Sequence, residues 1–261
     1  MRAPPLIIAH RGSSARAPEN TMAAFQMALD AGADGLEFDV QLAKDGVPVV
    51  IHDTSLLRTA RRNERVASLT ADQLANVDVG SWFNRTFPRL ANPEFASASI
   101  PGLAQTLQLA EGSNRLLYVE LKCTARTYHA LAAAVCDTIR RSPHLSHIIV
   151  KSFHLPAIVE VRRLLPEVQT AALFAPKVLD LVRRRQYIID LANAADAQQI
   201  SIHRALATRS LTRLAADNNL PVTVWTVDDP RWLLRSERQE IRALITNDPS
   251  KMIAAARLLS G

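Results

Sequence analysis

Seven side chains of this 261-residue chain have types and spacings that could work together chemically: His10, Arg11, Glu37, Asp39, His52, Glu120 and Lys122. Glu37 and Asp39 stand two apart in Gly35–Val40, and Glu120 and Lys122 repeat that spacing in Tyr118-Val119-Glu120-Leu121-Lys122. Residues two apart on a strand project to the same face. Charges turned into a barrel are costly unless a partner offsets them. Three carboxylates converging from two strands repel one another, and one divalent cation relieves this most simply. An all-oxygen set favours Mg²⁺, Ca²⁺ or Mn²⁺ over Zn²⁺. Salt bridges of Glu37 and Glu120 with Arg11 and Lys122 would answer the same spacing, which does not choose between the two.

His10 ends one apolar run and His52 another. A lone histidine at a strand end is ordinarily a capping or packed residue. Two of them beside a carboxylate cluster suggest an acid/base pair, because imidazole both takes and gives protons near neutral pH. Arg11 adds a planar fork suited to two non-bridging phosphate oxygens, and Lys122 a second positive charge. The set points to phosphoryl transfer. The dipeptide His52-Asp53 invites comparison with all-helical metal phosphohydrolases. Here it closes the β-type run Val47 to Ile51, so Asp53 reads as a turn residue.

The elements that must position these residues alternate. Strand candidates are Leu6–His10, Gly35–Val40, Leu116–Leu121, His147–Lys151, Gln169–Leu173, Gln198–Ile202, Pro221–Val227 and Arg242–Thr246. Apolar residues at helical spacing fill most gaps, such as Leu131, Val135, Thr138 and Ile139. Eight such repeats predict an α/β fold, a TIM (β/α)₈ barrel over residues 1–261, with an open doubly wound sheet as the lesser choice. About 75 residues separate Val40 from Leu116, several times the usual loop. The first part, Gly46 to His52, reads as a strand folded back through Lys44-Asp45-Gly46. A turn centred between Lys44 and Asp45 pairs residues whose numbers sum to about 89, which sets His52 opposite Glu37. Residues 54–100, with the exposed-looking Trp82-Phe83, read as a small irregular insertion beside the barrel mouth. Asn20 or Thr21 caps the helix that runs to about Ala31.

Apolar residues are 48% and charged residues 21%, enough for a sizeable core and a polar surface, so disorder is excluded as the main state. The net charge of +6 is spread along the chain. Its densest basic stretches, Arg183-Arg184-Arg185 and Arg61 to Arg65, lack interleaved aromatics, which argues against nucleic acid and for an anionic small molecule. Cys123 and Cys136 fit no metal-ligand spacing and read as free thiols in a reducing compartment. Leu6-Ile7-Ile8-Ala9 is too short for a secretory core, and no apolar run reaches about 18 residues, so the cytoplasm is expected without integral membrane association.

Together the motifs resemble the glycerophosphodiester phosphodiesterase family. They are His10-Arg11-Gly12, Pro18-Glu19-Asn20-Thr21, Gly32 through Val40, Asp45 through Asp53, and Glu120-Leu121-Lys122. The likeness continues through Ser152-Phe153, Trp225-Thr226-Val227 and Thr246-Asn247-Asp248-Pro249 and covers essentially the whole chain in order. It implies a TIM-type barrel with a small insertion, one divalent metal on Glu37, Asp39 and Glu120, and catalytic His10 and His52. It also implies phosphate contacts from Arg11 and Lys122, and Phe153 and Trp225 at the mouth or floor. The substrates implied are small glycerophosphodiesters such as glycerophosphocholine and glycerophosphoethanolamine, cleaved to sn-glycerol 3-phosphate and an alcohol. Other readings are a lysophospholipase-D-like or cyclising enzyme and a non-catalytic barrel that binds phosphate esters. Gly102, Gln105, Asn219 and Lys151 depart from the family's common residues. These departures are expected to leave the ligands untouched, with Lys151 facing solvent as easily as the pocket.

Overall fold

The computed structural model of the chain describes residues 4–143, 145–176 and 185–260. Met1 to Ala3, and Arg183 and Arg184 of the basic run, lie outside the described residues. The described residues form nine strands, β1 (Leu6–His10), β2 (Gly35–Leu42), β3 (Pro48–Val50), β4 (Leu116–Leu121), β5 (Ile148–Ser152), β6 (Gln169–Phe174), β7 (Gln199–His203), β8 (Val222–Trp225) and β9 (Ile241–Thr246). All but β3 run parallel, each beside the next in chain order, and β1 pairs with both β2 and β9. The ring is closed, a TIM barrel. Predicted strand ends lie within two residues of those observed.

The barrel strands read as nearly continuous apolar runs because both their faces are covered. Outward side chains such as Leu36, Phe38, Leu117 and Val119 pack with Phe25, Leu131, Val135 and Ile139 of the surrounding helices. Inside, Ile8, Tyr118, Ile149, Ala171, Ala243 and Ile245 form an apolar plug. On β1, β4 and β5 an inward apolar residue is followed two positions later, toward the strand's C-terminal end, by a polar one: Ile8 by His10, Tyr118 by Glu120, Ile149 by Lys151. That change of layer is what puts chemistry at one mouth of the barrel.

Of the helices, Met22–Asp30 starts where Thr21 accepts a hydrogen bond from the Ala24 amide at 3.3 Å. Thr21 is therefore the cap, and Asn20 is free for another use.

The hairpin differs from the expected register. Its partners sum to 90, with Val40 opposite Val50 and Leu42 opposite Pro48. The loop has three residues, Lys44-Asp45-Gly46, closed by the Ala43 amide on the Val47 carbonyl at 3.0 Å, with Gly46 in the left-handed region at φ 78°. An odd loop centres the pairing on Asp45 instead of between Lys44 and Asp45. Regular pairing stops at Val50, so His52 lies past the strand and is not opposite Glu37. The consequence for the site is still favourable. β1 pairs with β2 only as far as His10 on Glu37, and β3 takes up the same edge of β2 from Val40 onward. Both histidines thus flank one edge of β2.

Residues 54–100 carry short helices, including Leu57–Ala60, Ala71–Leu74 and Ser81–Thr86. The segment is less irregular than expected. Leu56, Val66, Leu74, Val77 and Ile100 form a core with Val49 and Ile51 of the hairpin. Phe83 is wholly buried against Phe95, Ala17 and Ala24, with Trp82 partly buried beside it, so neither is an exposed aromatic. No helix of the described residues is long and apolar enough to cross a membrane.

Candidate active site

Glu37 and Asp39 from β2 and Glu120 from β4 meet at the mouth. Each offers an oxygen, and the three lie within 4.8 Å of one another with all three residues buried. Adjacent parallel strands in register make this meeting inevitable, since Asp39 pairs with Glu120.

Three cations answer the three carboxylates. Arg11 Nε lies 2.9 Å from Asp39 Oδ2, and Lys122 Nζ lies 2.9 Å from Glu120 Oε1 and 3.7 Å from Asp39 Oδ1. The third is Lys151 on β5. Its Nζ is 2.7 Å from Glu37 Oε1 and 3.7 Å from Glu120 Oε2, and the residue is 2% exposed. The expectation that the unusual residues leave the ligands untouched fails here, because β5 pairs Lys151 with Glu120 and aligns it with inward Ile149. Gln105 and Asn219 do lie away, both exposed, and Asn219 holds φ 56° at the turn before β8. The Glu120–Lys122 pair matches the salt-bridge reading, whereas Arg11 turns to Asp39 and Glu19, not Glu37.

Burial would raise the Asp39 carboxyl, yet Arg11 and Lys122 with a hydrogen bond from Asn20 hold it down at about 2. Glu120 moves the other way, pushed up by burial and by the charge of Asp39. For Lys122, burial would lower the ammonium, but Glu120 and Asp39 outweigh it and raise the group.

Each histidine is fixed through Nδ1. His10 Nδ1 is 2.7 Å from Asn247 Oδ1. Asn247 Nδ2 donates to Asp228 Oδ2 at 2.9 Å and Ser14 Oγ donates to Asn247 Oδ1, so that oxygen is an acceptor and His10 Nδ1 is the donor. His10 Nε2 then faces Glu37 Oε2 at 3.8 Å. His52 Nδ1 is 2.7 Å from Asp53 Oδ1, again leaving Nε2 available. Asp53 is thus more than a turn residue. Its other oxygen takes Arg58 Nε at 2.5 Å, and Arg58 also grips Glu19 through both terminal nitrogens at 2.9 and 2.7 Å. Glu19 in turn accepts from Arg11 at 2.9 Å. The loop after β3 is pinned by Gln41 Nε2, which donates to the carbonyls of Ile51, His52 and Asp53.

Across the mouth, Phe153 is 45% exposed and packs edge-on to Trp225, ring centres 5.6 Å apart. His203 also packs edge-on to Trp225, ring centres 5.3 Å apart.

The model of the glycerophosphoryl diester phosphodiesterase family matches residues 10–251. The chain belongs to this family. A glycerophosphodiester phosphodiesterase of Caldanaerobacter subterraneus subsp. tengcongensis is 28% identical over 252 residues, covering 97% of this chain and 98% of its own. One from Bacillus altitudinis is 35% identical over 168 residues, 64% of this chain and 65% of its own. Among solved structures, a phosphodiesterase of Oleispira antarctica in complex with the product sn-glycerol-3-phosphate superposes with a TM-score of 0.84 at 25% identity, covering 97% of both chains. The family places the chain among phosphoric diester hydrolases.

Glycerophosphodiester phosphodiesterases are typically dependent on a divalent metal, and the residues present fit one. Glu37, Asp39 and Glu120 are all buried, and the ligand atoms they offer are carboxylate oxygens that converge within 4.8 Å, the donor chemistry a hard divalent cation takes.

Sequence reasoning missed Asn20, Asp53, Arg58, Lys151 and the Asp228–Asn247 pair. Asn20 Nδ2 donates to Asp39 Oδ2 at 2.9 Å, from a left-handed backbone at φ 57°. For Lys151 a signal existed, a lysine in phase with Ile149 directly after the apolar run Ile148-Ile149-Val150.

Proposed function

We propose that the chain hydrolyses small glycerophosphodiesters, such as glycerophosphocholine and glycerophosphoethanolamine, to sn-glycerol 3-phosphate and an alcohol. The observation that carries this reading is the buried triad of Glu37, Asp39 and Glu120 at one mouth of the barrel, with His10 and His52 each held through Nδ1 along the same edge of β2. The product bound in the Oleispira antarctica relative supports the substrate class.

Glu37, Asp39 and Glu120 would hold one divalent cation, Mg²⁺ or Ca²⁺ with Mn²⁺ as a third choice, which supplies Lewis-acid stabilisation of the phosphoryl oxygens. Arg11 and Lys122 turn donors toward the non-bridging oxygens, where charge concentrates during displacement. Nε2 of one histidine takes the proton of the attacking oxygen. Nε2 of the other, carrying an added proton, gives it to the departing alcohol. Asn247 and Asp53 keep both rings in the orientation this exchange requires. Phe153 and Trp225 form an aromatic wall for the alcohol or glycerol portion. The attacker is either the neighbouring glycerol hydroxyl, which yields a cyclic phosphate, or water, which does not. Both cysteines are free thiols, which suits a reducing compartment such as the cytoplasm.

The test is release of sn-glycerol 3-phosphate from a panel of glycerophosphodiesters and a lysophospholipid, by protein stripped with EDTA and then given Mg²⁺, Ca²⁺ or Mn²⁺. Release restored by a cation is expected. Failure on every diester under every cation would refute the reading, and full turnover by protein shown metal-free by elemental analysis would remove the cation from it.

A further inference from the structure

We propose that Lys151 is a resident counter-cation of the carboxylate triad, keeping it assembled when no metal is bound and weakening the hold on a divalent cation. The inference rests on the reading of Glu37, Asp39 and Glu120 as a cation site and adds to it a residue that sets its affinity.

Six charges meet at the mouth, three carboxylates against Arg11, Lys122 and Lys151. Two of the cations have somewhere else to go. The Arg11 and Lys122 side chains are 18% and 23% exposed, so both can turn toward solvent. Lys151 is 2% exposed, rooted near the C-terminal end of β5 above Ile149, and its ammonium reaches Glu37 at 2.7 Å and Glu120 at 3.7 Å. At that burial its ammonium has no ready access to solvent. Glu37 is itself fully buried, so without Lys151 the metal-free triad would keep an uncompensated charge in the barrel, a strongly destabilising condition.

The same ammonium acts against a divalent ion. Glu37 Oε1 lies within contact of Lys151, while Oε2 accepts from the Arg11 amide at 3.3 Å and faces His10 Nε2 at 3.8 Å, so a cation that uses Oε1 must share it with the ammonium or push the ammonium aside. It must also sit a few ångströms from a fixed positive charge, in surroundings where that repulsion is poorly screened. Metal and lysine therefore compete for one acidic residue. The site trades metal affinity for a barrel that stays intact without metal.

The trade is tested in the full chain by thermal unfolding and by calorimetric titration with Mg²⁺, Mn²⁺ and Ca²⁺, neither of which needs turnover. In EDTA, Lys151→Met should melt at least about 5 °C below wild type, and a saturating divalent cation should close most of that gap. Its affinity for the ion should be at least about tenfold tighter than that of wild type. The double variant Glu37→Gln/Lys151→Met removes both charges and should melt closer to wild type in EDTA than Lys151→Met does. If Lys151→Met can be purified only with metal present, the double variant and the affinity comparison carry the test. Equal or weaker metal affinity in Lys151→Met, or a loss of stability that metal does not reduce, would overturn the proposal while leaving the cation site standing. Absence of binding in both wild type and Lys151→Met would overturn both. Glycerophosphodiester hydrolysis that fails while the shifts in melting and affinity appear would sink the functional reading and leave the role of Lys151 intact.

Discussion

His10 and His52 present the same nitrogen, Nε2, but are held by different partners, a carboxamide on one side and a carboxylate on the other. Loss of either imidazole, in His10→Ala or His52→Ala, should lower kcat by about 10² or more. Near-wild-type turnover by both variants would dismiss the pair. Asp53→Asn keeps the shape and removes the charge that orients His52, and kcat should fall about tenfold or more with KM little changed. A matched rise in KM would instead make Asp53 a substrate contact. Glu19 shows how a residue outside the triad feels the network. Burial would raise its carboxyl, but the hydrogen bond from Arg58 and the charges of Arg11 and Arg58 bring it below its ordinary value of 4.5. Its ion pairs therefore stabilise the fold fully above that value and lose their effect as pH falls through the lower, folded one. In urea unfolding, the stability difference between wild type and Glu19→Gln should hold steady near neutral pH and shrink below pH 4.5. A difference that grew on acidification would contradict this. Glu37, Asp39, Glu120 and the two histidines were legible because strand periodicity and strand ends are local properties. Asp53, Arg58 and Lys151 were not, since their partners are decided by register and by a loop bridging up to 39 residues.

Elements set those partners, and single-residue geometry sets the elements. The hairpin illustrates how little separates a right from a wrong expectation, for one added loop residue moves every cross-strand pair by one and changes which residue faces which. Eight strands and their order could be read from the chain because each is a short apolar run between helical stretches. The insertion could be placed but not drawn. Its two small cores depend on contacts such as Phe83 with Phe95 and Leu56 with Val66, which have no periodicity to reveal them. Two glycines with left-handed backbones make a contrast at this scale. A Cβ on Gly12, φ 80°, would lie 2.5 Å from the Ala24 carbonyl carbon, whereas one on Gly46, φ 78°, would meet open space. Gly12→Ala must displace the helix Met22–Asp30 and should cost about 3 kcal/mol, against about 1 kcal/mol for Gly46→Ala. Equal costs in chemical denaturation would mean that the helix yields freely.

At the scale of the whole molecule, the net charge of +6 forms no single apparent face in the sequence, and its functional expression is local, the three cations gathered on the triad. The barrel needs no covalent staple. Cys136 is buried, its thiol pushed up to about 11 chiefly by burial, and Cys123 is partly buried, so the melting temperature should be the same with and without a reductant. A drop on reduction would reveal a bridge. The seam between β1 and β9 has a wider consequence. His10 is oriented by Asn247, 237 positions further along, and the Ala15 amide and Arg16 side chain bind Asn247 and Asp248 across the same seam. A polypeptide still emerging from the ribosome, or one cut short before its last stave, would own every acid and both imidazoles yet lack the latch that aims one of them. Truncation ahead of β9 would therefore cost the proposed acid/base pair its alignment together with a barrel strand.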